Sequence, residues 1–203
     1  MPPKYALRAA ALAEKYPASA EILNFYARLA RFVEGVPEWA RVVEWAKSNA
    51  NPELAATLEQ EDNPFARAFA LSQARHEPKV TEPWPNFCAC CGAAPGAAVL
   101  RPEADGSRRS LVCSRCGHEW LYQRILCTQC QEQRFEELPV YIAEEFPHLR
   151  VECCATCKHY LIAADLVKEP EAVPLVEDIA ALPLHLWATG QGYSKAALNI
   201  FGY

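Results

Sequence analysis

No stretch of the 203-residue chain holds about 18 consecutive apolar residues, so no segment is expected to span a membrane. The opening residues, Met1-Pro2-Pro3-Lys4-Tyr5, lack an apolar core ahead of a small-residue cleavage site, and no secretory leader is expected. A basic excess is missing too: 20 Lys and Arg face 25 Asp and Glu, for a net charge of −5 and a pI near 5.6. That balance argues against a protein whose main task is gripping phosphate backbones. There is no phosphate-cradling glycine loop, no nucleophile elbow and no His-Glu-x-x-His, so no catalytic residue is assigned and a non-enzyme is expected. Cysteine is absent from the first 87 residues and the last 46.

What is present is 51% apolar and 22% charged residues, enough for a buried core in one or two modest domains. All ten cysteines lie between Cys88 and Cys157. In a reducing cytoplasmic setting that number indicates metal or redox chemistry rather than a disulfide framework. The step in composition divides the chain. Residues 1–76 are rich in Ala, Leu, Glu and Arg and read as a helical N-terminal domain. Residues 77–87 carry three prolines and read as a stiff linker. Residues 88–126 and 127–167 form the cysteine-bearing part, and 168–203 a C-terminal helix and tail.

Within the N-terminal part, Leu7 to Lys15 reads as a first helix stopped by Pro17. Ser19 is expected to cap a second helix, whose stripe is Ile22, Phe25, Tyr26, Leu29, Phe32 and Val33. Gly35 can end that helix; Trp39, Val42, Val43 and Ala46 suggest a third, and Pro52 and Pro64 open two more. The aromatic residues of these stripes are expected in the core, and this segment alone does not reveal a function.

Four Cys-x-x-Cys pairs occur: Cys88/Cys91, Cys113/Cys116, Cys127/Cys130 and Cys154/Cys157. A two-residue gap lets one tight turn aim both sulfurs at a single ion. Gly92 and Gly117 directly follow their pairs, where a left-handed residue turns backbone N–H groups toward the sulfurs. The first two pairs recur 39 and 41 residues later, which reads as a duplication of one ribbon-like unit. Each unit has strand material. Ala98–Leu100 and Ser110–Val112 flank the hairpin signal Asp105-Gly106, and Trp120–Tyr122 and Ile125–Leu126 lead on into the second unit. Leu138–Tyr141 and Leu149–Val151 play the hairpin role there, with Tyr160–Ile162 as exit strand. The expected fold is α+β: a small helical region, two tandem zinc-ribbon-like β modules, and a C-terminal helix. Each module should hold one ion in a closed four-sulfur shell, a structural role. The spacing allows zinc or iron equally.

Other readings concern the same residues. A dithiol redox role would need fewer pairs than are present. Cys90 and Cys153 stand beside presumed ligands and read as small buried hydrophobes. His118 and His159 occupy equivalent positions after the second pair of each unit and read as supporting rather than ligating residues. Tandem ribbons could read nucleic acid, but residues 88–157 hold seven Arg against nine acidic residues. Thiolate-bound divalent ions add further negative charge, so no nucleic-acid partner is expected unless Arg101, Arg108, Arg109, Arg115 and Arg124 share one face. The residues alone point to a metal-stabilised scaffold that binds another protein.

Cys88-x-x-Cys91-Gly92, Cys113-x-x-Cys116 followed by Glu119-Trp120, Cys127-x-x-Cys130, and Glu152-x-Cys154-x-x-Cys157 followed by Tyr160-Leu161 together resemble the FdhE family of formate dehydrogenase accessory proteins. Glu177–Leu182 and Gly192-Tyr193-Ser194-Lys195-x-x-x-Asn199-x-Phe201 resemble its C-terminal helix and tail, and Arg8 through Pro17 and Phe25 its N-terminal helices more loosely. The resemblance implies a cytoplasmic protein with two rubredoxin-like sites holding iron, which acts on the catalytic subunit of a formate dehydrogenase, or of a related molybdenum or tungsten enzyme, during maturation. It also implies that Cys88, Cys91, Cys113 and Cys116 bind one ion and that Cys127, Cys130, Cys154 and Cys157 bind the other. The alternatives are a redox- or iron-sensing protein and a nucleic-acid-binding ribbon. Two features depart from the family: a shorter N-terminal helical region, and Ile200 where proline is common.

Overall fold

Alternation along the strands sorts the core into two layers. The chain is described here from a computed structural model that covers residues 3–34, 38–49, 52, 56, 59, 85–104, 106–199 and 202. Gly35, Pro64, Asp105, Phe201 and residues 77–84 of the expected linker lie outside these. The chain opens with α1 (Pro3–Lys15), a 3₁₀ turn at Pro17–Ser19, α2 (Ala20–Glu34) and α3 (Trp39–Asn49). Then come β1 (Pro95–Glu103), β2 (Gly106–Cys113), β3 (Glu119–Leu121), a second 3₁₀ turn at Phe135–Glu137, β4 (Val140–Tyr141), β5 (Leu149–Cys153) and β6 (His159–Asp165). Two short helices, α4 (Pro174–Ala180) and α5 (Leu182–Gly190), precede the two-residue strand β7 (Ser194–Lys195). Among the described residues no helix is long and apolar enough to cross a membrane.

The two cysteine-bearing units share one sheet, in the order β3-β2-β1-β6-β5-β4, with β7 added alongside β6. Within each unit neighbours run antiparallel, as the hairpin signals require. Between units, β1 pairs with β6 in parallel, Ala98 opposite Ala163 and Leu100 opposite Asp165. By position relative to the cysteine pairs, β1 corresponds to β4 and β3 to β6. The duplicated units are therefore joined head to tail.

One face of this sheet carries Val99, Val112, Leu149, Val151, Ile162 and Ala164, all buried under the helices. From α1 the residues Ala6, Ala9, Leu12 and Ala13 meet it, a run of small side chains that lets the helix come close. From α2 come Leu23, Tyr26, Ala27 and Ala30. The stripe expected in α2 is split: Phe25, Leu29 and Val33 turn instead to Val42 of α3, with Phe32 stacked on Trp45 at 5.2 Å. The opposite sheet face, Ala98, Leu111, Leu161 and Ala163, is covered by Tyr122 and Leu126 from the segment joining the units.

Two local expectations are corrected. The first helix starts at Pro3, not Leu7, since proline is tolerated in a first turn. Ser19 does not cap α2: its Oγ donates to the Ala180 carbonyl at 2.8 Å. The preceding 3₁₀ turn already engages the first N–H groups, Ser19 with Tyr16 and Ala20 with Pro17. The buried hydroxyl is left to find its partner across the core.

Candidate metal centres

All four Cys-x-x-Cys pairs fold into the same turn. The first cysteine's N–H donates to the carbonyl five residues on: Cys88 to Ala93 (2.8 Å), Cys113 to His118 (2.9 Å), Cys127 to Glu132 (2.9 Å) and Cys154 to His159 (2.8 Å). The residue after the second cysteine donates back to the first cysteine's carbonyl, from Gly92 (2.8 Å), Gly117 (3.3 Å), Gln131 (3.2 Å) and Lys158 (2.9 Å). That closing residue is left-handed every time, with φ of 72°, 69°, 60° and 58°. Glycine fills the position at no cost in the first unit. Gln131 and Lys158 fill it in the second, so glycine alone revealed half of the pattern.

The turns bring the eight cysteines together as two quartets, Cys88, Cys91, Cys113 and Cys116, and Cys127, Cys130, Cys154 and Cys157, with each quartet's sulfurs within 4.8 Å of one another. Close pairs are Cys88–Cys116 at 3.6 Å, Cys91–Cys113 at 3.3 Å, Cys127–Cys157 at 3.6 Å and Cys130–Cys154 at 3.7 Å. A tetrahedron with metal–sulfur bonds of about 2.3 Å has edges of about 3.8 Å, so each quartet fits an ion. N–H groups two residues beyond the leading sulfur point at it in three turns, from Cys90, Arg115 and Gln129, each at 3.4 Å. Such donors stabilise thiolates.

The electrostatics call for a cation. Burial pushes the Cys113 thiol up to about 12, and Cys116 and Cys157 are raised further by the same cause. At Cys91 burial also opposes ionisation, but the Ala93 N–H and neighbouring thiols outweigh it and hold that thiol below the ordinary value. Cys154 behaves alike, with the Cys157 N–H as donor. Four adjacent sulfurs cannot all be anionic without a cation between them, and a soft divalent ion meets that need.

Cys90 and Cys153 stay outside both quartets; Cys153 is buried among apolar side chains and burial pushes its thiol up to about 12. His118 stacks on Trp120 at 6.1 Å, and Trp120 donates from Nε1 to the Pro85 carbonyl. His159 lies at the mouth of β6, its backbone holding the last turn. The arginines do not form one basic face. Arg108 and Arg109 are consecutive in β2 and point to opposite sides; Arg101 pairs with Glu119 at 2.6 Å and Arg109 with Glu152 at 2.7 Å.

The family profile described as FdhE, C-terminal domain, matches residues 111–201. A protein FdhE homolog of Aquifex aeolicus (strain VF5) is 36% identical over 119 residues, 58% of this chain and 42% of the relative. A protein FdhE homolog of Stutzerimonas stutzeri (strain A1501) is 33% identical over 151 residues, 73% of this chain and 47% of the relative. Residues 111–201 are thus similar to the C-terminal domain of FdhE proteins. The matched regions span less than half the length of these curated relatives. The crystal structure of the FdhE protein from Pseudomonas aeruginosa has the same fold, with a TM-score of 0.80 over 97% of this chain and 94% of that one at 22% identity.

Two buried charge clusters that spacing alone did not reveal hold this chain together. Glu177 of α4 is paired with Arg8 of α1 at 2.5 Å and with His148 at 2.9 Å. Its neighbour Asp178 takes Lys195 at 2.5 Å and Asn199 at 3.0 Å, which pins the tail. The tail in turn braces the last cysteine turn: Ser194 donates to the Lys158 carbonyl at 2.8 Å. His185 completes the cluster, with Nε2 donating to the Asp178 carbonyl at 2.8 Å and Nδ1 accepting from the Tyr160 hydroxyl at 2.9 Å.

Proposed function

We propose that this chain is a cytoplasmic accessory protein of formate dehydrogenase maturation that binds the catalytic subunit of that enzyme, or of a related molybdenum or tungsten enzyme, before assembly is complete. Cys88, Cys91, Cys113 and Cys116 hold one metal ion, and Cys127, Cys130, Cys154 and Cys157 hold the second. The observation that carries this reading is the pair of quartets at tetrahedral sulfur spacing in a chain whose residues 111–201 match the FdhE C-terminal domain. Family resemblance favours iron, and the sulfur sets suit zinc equally.

A closed four-thiolate shell offers no position to a substrate. What the ions supply when bound is folding energy for two ribbon units, residues 88–126 and 127–167, each too small for an adequate core of its own. The function then lies on the surface the metals shape. Deleting the gene and assaying formate oxidation and enzyme assembly tests the proposal; loss of both is expected, and unchanged assembly overturns it. Metal content and a visible spectrum of protein purified without added metal decide the ion. Two colourless zinc ions and two red iron ions are the competing outcomes.

A further inference from the structure

β4 ends the sheet, and its outer edge is dressed differently from the rest of the surface. The sequence around it reads Glu136-Glu137-Leu138-Pro139-Val140-Tyr141-Ile142-Ala143-Glu144-Glu145, an apolar core between two acidic pairs. Val140, Tyr141 and Ile142 are 49%, 39% and 66% exposed, and Phe135 just upstream is 71% exposed. Tyr141 also meets the half-exposed Trp187 of α5 at 4.7 Å, which extends the apolar patch around the edge.

The backbone register leaves this edge competent to pair. Cys153 donates to the Pro139 carbonyl at 2.9 Å, and Val140 stands opposite Glu152 in the next position. In an antiparallel ladder, bonded and non-bonded pairs alternate. The N–H and carbonyl of Val140 therefore point outward, away from β5.

Charge selects the occupant. Glu136, Glu144 and Glu145 are exposed. Arg134 is the sole arginine or lysine from 131 to 149, and it is paired with Glu132 at 2.8 Å. Arg109 of β2 and Arg150 of β5 already share Glu152, and Arg124, beside the groove they line, donates to the Ser107 carbonyl at 3.1 Å. The Glu137 carbonyl accepts from Ala155 of the last cysteine turn, and a divalent ion with four thiolates adds about two negative charges there. Flanking carboxylates repel a second copy of the same edge, which is how edge strands are protected from self-pairing. They attract a strand of opposite charge.

We propose that the β4 edge is the docking site for an extended segment of a partner protein, apolar at its centre and flanked by Lys or Arg, which adds as a strand beside Val140. This deepens the reading above by giving the partner's binding segment its chemistry and its place.

The test selects from a random twelve-residue peptide library on the full, metal-loaded chain, then measures the affinity of selected peptides by fluorescence anisotropy. Selected sequences should carry apolar runs bounded by Lys or Arg. Their affinity should fall about tenfold with Glu144→Lys and Glu145→Lys together, and should weaken as salt rises. Val140→Pro, which takes an outward N–H from an edge strand and alters its exposed side chain, should cost about tenfold as well while melting and metal content hold. Enrichment of acidic peptides, no enrichment, or unchanged affinity in the charge-reversed protein overturns the proposal, as does edge-to-edge self-association in sedimentation. Co-purification with a formate dehydrogenase catalytic subunit separates the two readings. Failure of the wild-type chain to bind sinks the proposed function and leaves the peptide result standing. Equal binding by wild type and the double Glu→Lys variant sinks the edge assignment alone.

Discussion

Arg8 and Glu177 lie 169 residues apart in sequence and form an ion pair at 2.5 Å whose carboxylate is fully shielded from solvent. The pair ties the N-terminal helical region to α4, and His148 occupies the other carboxylate oxygen. Breaking a buried pair by removing one partner leaves a charge without compensation.

Arg8→Ala is therefore expected to destabilise the chain by about 3–5 kcal/mol, read as a lowered midpoint in urea. Arg8→Met combined with Glu177→Gln should recover part of that loss, since the neutral amide removes the uncompensated charge and still offers the buried His148 Nε2 a hydrogen-bond partner. If the double variant is no better than the single, the pair contributes something other than charge compensation.

These charges were not legible in the sequence, although the cysteines were. A Cys-x-x-Cys turn is local, so its spacing names it; the hairpins around Ala98–Val112 and the exit strand at Tyr160 likewise follow from short-range alternation. A buried Glu177 or Asp178 looks like any helical acid until the chain is folded, because its partners come from α1, His148 and the tail. The same holds for Ser19, whose local signal named a cap and whose burial assigned it to Ala180. The joining of β1 to β6 is a pairing between distant strands, and periodicity carries no information on which strand lies beside which.

The closing positions of the second unit's turns give a prediction of opposite sign. Gln131 has φ of 60°, a conformation that costs a non-glycine residue about 1 kcal/mol. Gln131→Gly should therefore stabilise by up to about 1 kcal/mol, and Gly92→Ala in the first unit should destabilise by a similar amount. Paired thermal melts of the metal-loaded proteins decide it; destabilisation by Gln131→Gly would contradict the assignment.

Gly96 answers to space rather than torsion. A Cβ there would meet the Ser114 Cα at 2.9 Å. Gly96→Ala is expected to push β1 away from the turn at Cys113–Cys116, and the faster loss of one metal equivalent to a chelator would report it.

On the proposed assignment, replacing a cysteine of either quartet removes a ligand outright. Cys113→Ser should lower metal content by one ion per chain and lower the melting temperature, because a structural ion carries folding energy. Wild-type metal content and melting would contradict this.

His185 sets a pH dependence. Burial lowers its pKa below the ordinary value; Lys195 adds to this, and Asp178 opposes it without prevailing. The unfolded chain then binds the extra proton near pH 6.5 and the folded chain only at lower pH. Stability is expected to rise with pH up to about 6.5 and to level off above it. His185→Gln should flatten that rise, measured as urea midpoints between pH 5.5 and 7.5 at saturating metal.

The parallel seam between β1 and β6 bears on how the two ions are lost. Each unit lends the other a neighbour for one of its strands, so neither has a complete sheet by itself. Melting of either ribbon strips the seam and strands the remaining one with a bare edge. The chain should therefore melt as a single cooperative block, in which a chelator that takes one ion makes the second easier to remove.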